Sequence, residues 1–294
     1  MENQATINTM DTVTFKSNTL DINLETLKRS ATHFQASGNM PNSRPVHHFE
    51  LIEWVKNEMS DITGHPTTIE PISISARHSN RIRIDNNEII NPKDPCPIER
   101  LNIQRLVTRI GLDIDADVNG EKLAPAVAIS YNDKGIELAM GTNIFVCSNM
   151  NIFGGNKHST YGADKINFDS MQQIMQAMFK NWMDTFERDC VVIEKMQETQ
   201  LSEHKAKQML GELLYESVKC SLTKKEMSEL DNPIIKRSIL NNSQCSRLSG
   251  FINYWDFCQA GTENLKPTSS DFVSLYPAVQ SFNSYVLEKA EITY

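Results

Sequence analysis

Val127-Ala128-Ile129-Ser130-Tyr131-Asn132-Asp133-Lys134-Gly135-Ile136-Glu137-Leu138-Ala139-Met140-Gly141-Thr142-Asn143-Ile144-Phe145-Val146 is the stretch on which the fold turns. Val127, Ile129 and Tyr131 alternate with small or polar residues, and beyond the break Ile136, Leu138, Met140, Thr142, Ile144 and Val146 do the same. Side chains on a strand point alternately to opposite faces, so a period of two marks strands. Asn132-Asp133-Lys134-Gly135 between them places glycine where a turn needs positive φ. The stretch predicts an antiparallel hairpin.

The same period extends back to Thr67, through Leu106, Thr108, Ile110, Leu112 and Ile114, then Ile82 and Ile84, then Ile72 and Ile74. Before it, Phe49, Ile52, Val55 and Met59 recur at helical spacing, and Gly64 and Pro66 end the run, predicting a short amphipathic helix from Pro45 to about Ile62. Residues 1–44 are polar and rich in Asn, Thr and Ser, which predicts a mobile arm.

After Gly162 the period becomes 3.6. Phe168, Met171, Met175, Met178, Trp182 and Phe186 form one stripe that continues through Cys190 and Ile193, predicting one long helix with its methionines in the core. A helix from Ser202 follows, with Ala206, Met209, Leu210, Leu213 and Leu214 inward. Thr223-Lys224-Lys225-Glu226 fits a capping box, with Leu222 and Met227 as its hydrophobic staple. A last helix runs from Tyr276 to Ala290 with Val279, Phe282, Tyr285 and Val286 on one face. Strands followed by helices make the class α+β, an antiparallel β-meander and then a C-terminal helical bundle. The expected division is an arm (1–44), a helix with an antiparallel sheet (45–165) and a helical region packed on that sheet (166–294).

Composition agrees with a folded chain: of 294 residues, 39% are hydrophobic and 22% charged. With 29 basic against 37 acidic side chains the net charge is −8, which argues against a globally basic nucleic-acid binder and leaves a local patch open. There is no apolar run of membrane-spanning length and the start lacks the order of a signal peptide, so a cytoplasmic protein without membrane contact is expected. Cys96, Cys147, Cys190, Cys220, Cys245 and Cys258 include no C-x-x-C pair and no histidine at finger spacing. Reduced, mostly buried thiols are expected, with no metal site and no cofactor.

Asp115-Ala116-Asp117-Val118-Asn119-Gly120 matches the opening of a calcium loop, but the twelfth position is Ala126 and the flanks read as strands, so a solvated hairpin turn is expected. Gly154-Gly155-Asn156-Lys157-His158-Ser159-Thr160 looks superficially like a phosphate loop without its spacing, and reads as a flexible connector. No nucleophile elbow, zinc-hydrolase or dinucleotide motif is present, and no catalytic residue is assigned. Nothing in the sequence demands an enzyme, and a hydrolase with an unrecognised site is the remaining alternative.

One charge asymmetry remains. Arg77, Arg81, Arg83, Lys93, Arg100, Arg105 and Arg109 oppose Asp85, Glu88, Asp94 and Glu99, a local net of +3 in an acidic chain. Arg81 and Arg83 alternate with Ile82 and Ile84, while Arg105 and Arg109 fall opposite Leu106, Ile110 and Leu112, so arginines could coat one sheet face. Arg77, Arg81, Arg83, Arg105 and Arg109 are therefore the candidate nucleic-acid contacts, arginine being suited to phosphate by its planar fork. A solvated face paired with nearby carboxylates explains the same residues.

The run from Val127 to Val146-Cys147-Ser148-Asn149-Met150 resembles the phage/plasmid-like proteins of domain-of-unknown-function 932 and their Bacteroidetes relatives, where a hairpin ends in a similar sequence. His158, the helix with Phe179 and Trp182, and Trp255 to Asn264 resemble that family's later blocks, over roughly residues 67–290. Cys147, Ser148 and Asn149 carry the motif, and Met150 stands where glycine is more usual. The resemblance implies a phage, plasmid or mobile-element protein, encoded among replication and recombination functions, and supplies no catalytic residues. Two readings follow. One is a non-enzymatic protein acting on or beside DNA, binding single strands on the arginine face. The other is a protein-interaction factor, such as an inhibitor of host anti-phage defence, with a host or phage protein as partner. Either is compatible with a homo-oligomer.

Overall fold

The computed structural model describes residues 12–13, 19–30, 47–75, 77–78, 81–83, 89–90, 96–101, 103, 105–114, 116–132, 135–144, 152–162, 168–180, 182–222, 253–263 and 276–293. In chain order they form β1 (Thr12–Val13), β2 (Leu20–Ile22), α1 (Leu24–Arg29), α2 (His48–Thr63), β3 (Thr67–Ile69), β4 (Ile72–Ser75), β5 (Arg77–His78), β6 (Arg81–Arg83) and β7 (Ile89–Ile90). Next come β8 (Cys96–Pro97), a 3-10 turn (Ile98–Arg100), β9 (Arg105–Leu112), β10 (Ala116–Val118), β11 (Glu121–Asn132), β12 (Gly135–Ile144) and β13 (Ile152–Gly162). The helices α3 (Phe168–Phe179), α4 (Trp182–Glu198), α5 (Glu203–Leu222), α6 (Tyr254–Glu263) and α7 (Tyr276–Lys289) follow. The class is α+β, built on an eight-stranded antiparallel sheet in the order β13-β12-β11-β9-β4-β2, with β10 paired to β11 and β3 to β9.

Two compact units divide the chain: residues 1–114, 125–140 and 157–182 in the first, and 115–124, 141–156 and 183–294 in the second. This differs from a boundary near residue 165, because parts of the long strands β11, β12 and β13 group with the C-terminal helices.

In the first unit β9 is central. Val127, Ile129 and Tyr131 of β11 pair with Ile110, Thr108 and Leu106 on one side, and Ser73, Ile74 and Ser75 of β4 pair with Val107, Leu106 and Arg105 on the other. Every β9 residue after Arg105 is buried, so both faces of this strand are covered. The first predicted helix forms as α2, burying Leu51, Ile52, Val55 and Met59, and it packs against β9 and α3. Gly64 closes it in a left-handed conformation (φ 71°), its N–H reaching the Ser60 carbonyl at 2.8 Å, a position where glycine avoids the Cβ penalty.

Residues 20–29 do not form part of a mobile arm. Leu20 and Ile22 of β2 pair with Ile74 and Ile72, and both are buried. Asn23 caps α1 by accepting from the Thr26 N–H at 2.8 Å, and Leu27 is fully buried. Three apolar residues at the right spacing suffice to tie this polar segment down. Residues 1–11, 14–18 and 31–46 lie outside the described residues.

The single long helix expected from Phe168 to Ile193 is two helices, α3 and α4. Apolar spacing continues across the interruption, which is why the sequence pattern hides it: Met178, Phe179 and Trp182 are all buried, with the Phe179 and Trp182 rings 4.9 Å apart.

In the second unit α6 packs on α7 through stacked Phe257 and Phe282, and the Cys258 thiol donates to Asn283 Oδ1 at 3.2 Å. A Cβ at Gly261 would collide with the Phe282 ring, so this contact requires glycine. The Tyr285 hydroxyl of α7 lies 3.2 Å from the Met209 carbonyl and 3.0 Å from a Glu212 oxygen of α5, and Lys289 pairs with Glu212 at 2.8 Å. Ser202 caps α5, its hydroxyl accepting from the Lys205 N–H at 3.2 Å. The capping box at Thr223 lies outside the described residues. Among the described residues no helix is long and apolar enough to cross a membrane. Cys96 and Cys258 are buried and Cys190 half-buried, all three without a disulfide, while Cys147, Cys220 and Cys245 lie outside the described side chains.

Candidate nucleic-acid interface

The five candidate arginines do not share one sheet face. Arg77, Arg81 and Arg83 belong to a separate three-stranded antiparallel sheet, β5-β6-β7. Arg77 pairs with Ile82 and His78 with Arg81, while Ile82 and Arg83 pair with Ile90 and Ile89. Cross-strand partners share a face, so His78, Arg81, Arg83 and Ile89 take positions on one side and Arg77, Ile82 and Ile90 on the other. The segment Arg77–Arg83 holds three arginines and no carboxylate.

Arg105 opens β9 and is exposed. Its cross-strand partner is Ser75, the last residue of β4, and Arg77 begins β5 two positions later. A paired Cα sits about 5 Å away and two residues of chain reach at most about 7 Å, so Arg105 and Arg77 have Cα atoms within about 12 Å. The root of the arginine ribbon therefore lies beside the exposed end of β9. Among the described residues Arg105 has no carboxylate partner.

Arg109 corrects the sequence reading. The face of β9 opposite Leu106 and Ile110 is covered, and Arg109 is 8% exposed. Its Nε and Nη2 both donate to Glu70 Oε2, at 2.9 and 2.6 Å. Glu70 in turn donates its backbone N–H to the Arg109 carbonyl at 3.0 Å, and its own carbonyl accepts from the Thr108 hydroxyl at 3.2 Å. A guanidinium committed to a carboxylate beneath the surface offers nothing to a phosphate. Arg109 is a fastener between β9 and the β3–β4 connection, which is the carboxylate-paired reading without its solvation.

Cys147, Ser148 and Asn149 lie outside the described residues. The glycine-rich segment from Gly154 to Thr160 is not a connector, for it forms most of the edge strand β13. Asn119 and Gly120 form the hairpin turn between β10 and β11, as expected, both at positive φ (51° and 91°), and Asp117 lies in β10 paired with Lys122. Asp117 Oδ1 accepts the Gly120 N–H at 2.8 Å, so this carboxylate is engaged by its own turn. Among the described residues no group of three or more His, Cys, Asp or Glu side chains could hold a metal ion.

Sequence reasoning missed a buried polar contact in the second unit. Asp189 of α4 is completely buried and its Oδ2 accepts the Thr142 hydroxyl of β12 at 2.6 Å. Gly154 of β13 has φ 79°, and a Cβ there would run into the Asp189 carboxylate. Asp189 lies on the same helical register as Trp182, Phe186 and Ile193, and an acid within an apolar stripe is the signal that could have revealed it. The neighbouring Cys190 thiol is pushed up to about 11, first by burial and then by the Asp189 charge, so it stays protonated and poorly nucleophilic at neutral pH.

No family model, no curated protein and no solved structure matches this chain.

Proposed function

We propose that this chain binds nucleic acid by neutralising phosphates with Arg77, Arg81, Arg83 and Arg105, as a phage-, plasmid- or mobile-element protein acting on or beside DNA. The observation that carries the reading is the carboxylate-free run Arg77–Arg83 on a β-ribbon whose root lies beside exposed Arg105. Arginine makes charge-assisted forked bonds to phosphate, and such contacts hold a nucleic acid without reading its bases. The rest of the chain is acidic, which repels the polyanion elsewhere and confines it to this patch. The resemblance to phage/plasmid-like proteins supports the same setting.

The test is fluorescence anisotropy of a labelled oligonucleotide titrated with the full chain at low salt. Binding by the parent, lost on changing Arg77, Arg81, Arg83 and Arg105 together to Gln and kept by Arg109→Gln, supports the reading. Absence of binding by the parent turns the choice to a protein partner.

A further inference from the structure

Independently of the nucleic-acid reading, we infer that residues 19–30 form a detachable strap, which opens in one step while the rest of the sheet stays paired, and so turns β4 into a sheet edge. β2 stands at one end of the strand order beside β4 and pairs with it over three residues, Leu20 with Ile74, Asp21 with Ser73 and Ile22 with Ile72. α1 follows directly after Asn23 and packs against α2 and the 3-10 turn. Leu20, Ile22 and Leu27 are the buried apolar anchors of the segment, while Asp21, Glu25, Lys28 and Arg29 are exposed. Arg29 Nη2 meets Glu99 Oε1 at 2.9 Å with both side chains about half exposed, and Lys28 Nζ lies 5.2 Å from the Phe49 ring centroid. Charge contacts this open to water add little to the attachment.

The pieces of the strap depend on one another. α1 has six residues, about half the length at which an isolated helix becomes even marginal, so it persists through the seating of Leu27. Asn23 Oδ1 accepts the Thr26 N–H, the Asn23 carbonyl accepts the Leu27 N–H, and the Leu27 carbonyl accepts both the N–H and the hydroxyl of Ser30. All four bonds belong to that short helix and are lost with it. β9 is the contrast: eight residues, laddered to β11 on one side and to β3 and β4 on the other, and buried throughout after Arg105. Release of the strap leaves this double ladder whole, so it exposes less surface than global unfolding and costs less free energy. When open, the strap stays tethered through the chain that leads to α2, and Ile72 and Ile74 lose their cross-strand partners.

Hydrogen exchange on the full chain, followed residue by residue by NMR at urea concentrations below the unfolding transition, tests the inference. The amides of Thr26, Leu27 and Ser30 are expected to be protected to within about threefold of one another, and at least about tenfold less than the amides of β9. Their exchange should also depend more weakly on urea than that of β9, because a smaller surface is uncovered. Protection and urea dependence equal to those of β9 would show that the segment opens only when the whole fold does. Three unrelated rates would show fraying instead of one opening, and no protection would show that the segment is not docked; each of these results overturns the inference.

Discussion

Arg109 and Glu70 hold each other by side chain and backbone at once: two guanidinium nitrogens reach one carboxylate oxygen at 2.9 and 2.6 Å, and the Glu70 N–H reaches the Arg109 carbonyl at 3.0 Å. The pair stitches the β3–β4 connection onto the central strand where both faces are covered. Removing one partner leaves the other charge largely buried, which costs more than the pair gains. Arg109→Gln is therefore expected to lower stability by about 2–4 kcal/mol in urea melts, while nucleic-acid affinity measured well below the melting temperature stays within about twofold of the parent. A large loss of affinity in a folded variant would return Arg109 to the interface.

Gly154 and Asp189 predict a second lesion. Alanine at 154 must adopt φ near 79° and place its Cβ against a carboxylate that already accepts the Thr142 hydroxyl. Gly154→Ala is expected to destabilise by about 2 kcal/mol or more. Combining it with Asp189→Ala should cost clearly less than the sum of the two single changes, because removing the carboxylate relieves the collision and leaves only the backbone strain. Additive effects in this cycle would separate the two residues.

His48, buried at the start of α2 with its ring 4.7 Å from that of Tyr131, ties stability to pH. Burial, with the nearby His47 charge second, lowers its pKa to about 3 from an ordinary 6.5. The unfolded chain thus takes up a proton near pH 6.5 that the folded chain refuses until about pH 3. This contribution is fully present above pH 6.5 and is lost as pH falls toward 3, by up to about 1.4 kcal/mol per pH unit. His48→Phe should flatten the acid limb of stability against pH between 6.5 and about 4, relative to the parent. Parallel acid limbs would show that His48 is protonated in the fold.

Leu27 tests the N-terminal attachment. It is fully buried on α1, directly after the strand that pairs with β4, so Leu27→Ala is expected to cost about 2–4 kcal/mol. Deleting residues 1–30 should lower the melting temperature by more than that substitution. A truncated chain as stable as the parent would show that β2 and α1 are dispensable.

The legible part of this fold was its periodicity. The hairpin around Gly135 appears as β11 and β12, adjacent strands ending at Asn132 and starting at Gly135, and α2 ends at the glycine read as its stop. What the pattern hid was context. Alternation along β9 places Arg109 away from Leu106 and Ile110, but it is silent on whether that second face meets water, and here it does not. Gly154-Gly155 lowers strand propensity, yet the segment pairs at the sheet edge, where neighbouring strands outweigh local preference. Asp189 was invisible as a contact because Thr142 and Gly154 come from strands far away in sequence.

The most direct measurement of the central claim is the salt dependence of duplex DNA binding, for the parent chain and for Arg81→Gln/Arg83→Gln/Arg105→Gln. Four phosphate contacts predict a slope of log affinity against log salt of about −3 to −4, and loss of three should flatten it to about −1 while weakening binding to every sequence alike. A parent chain that does not bind at low salt, or a folded triple variant with the parent's affinity and slope, would contradict the account.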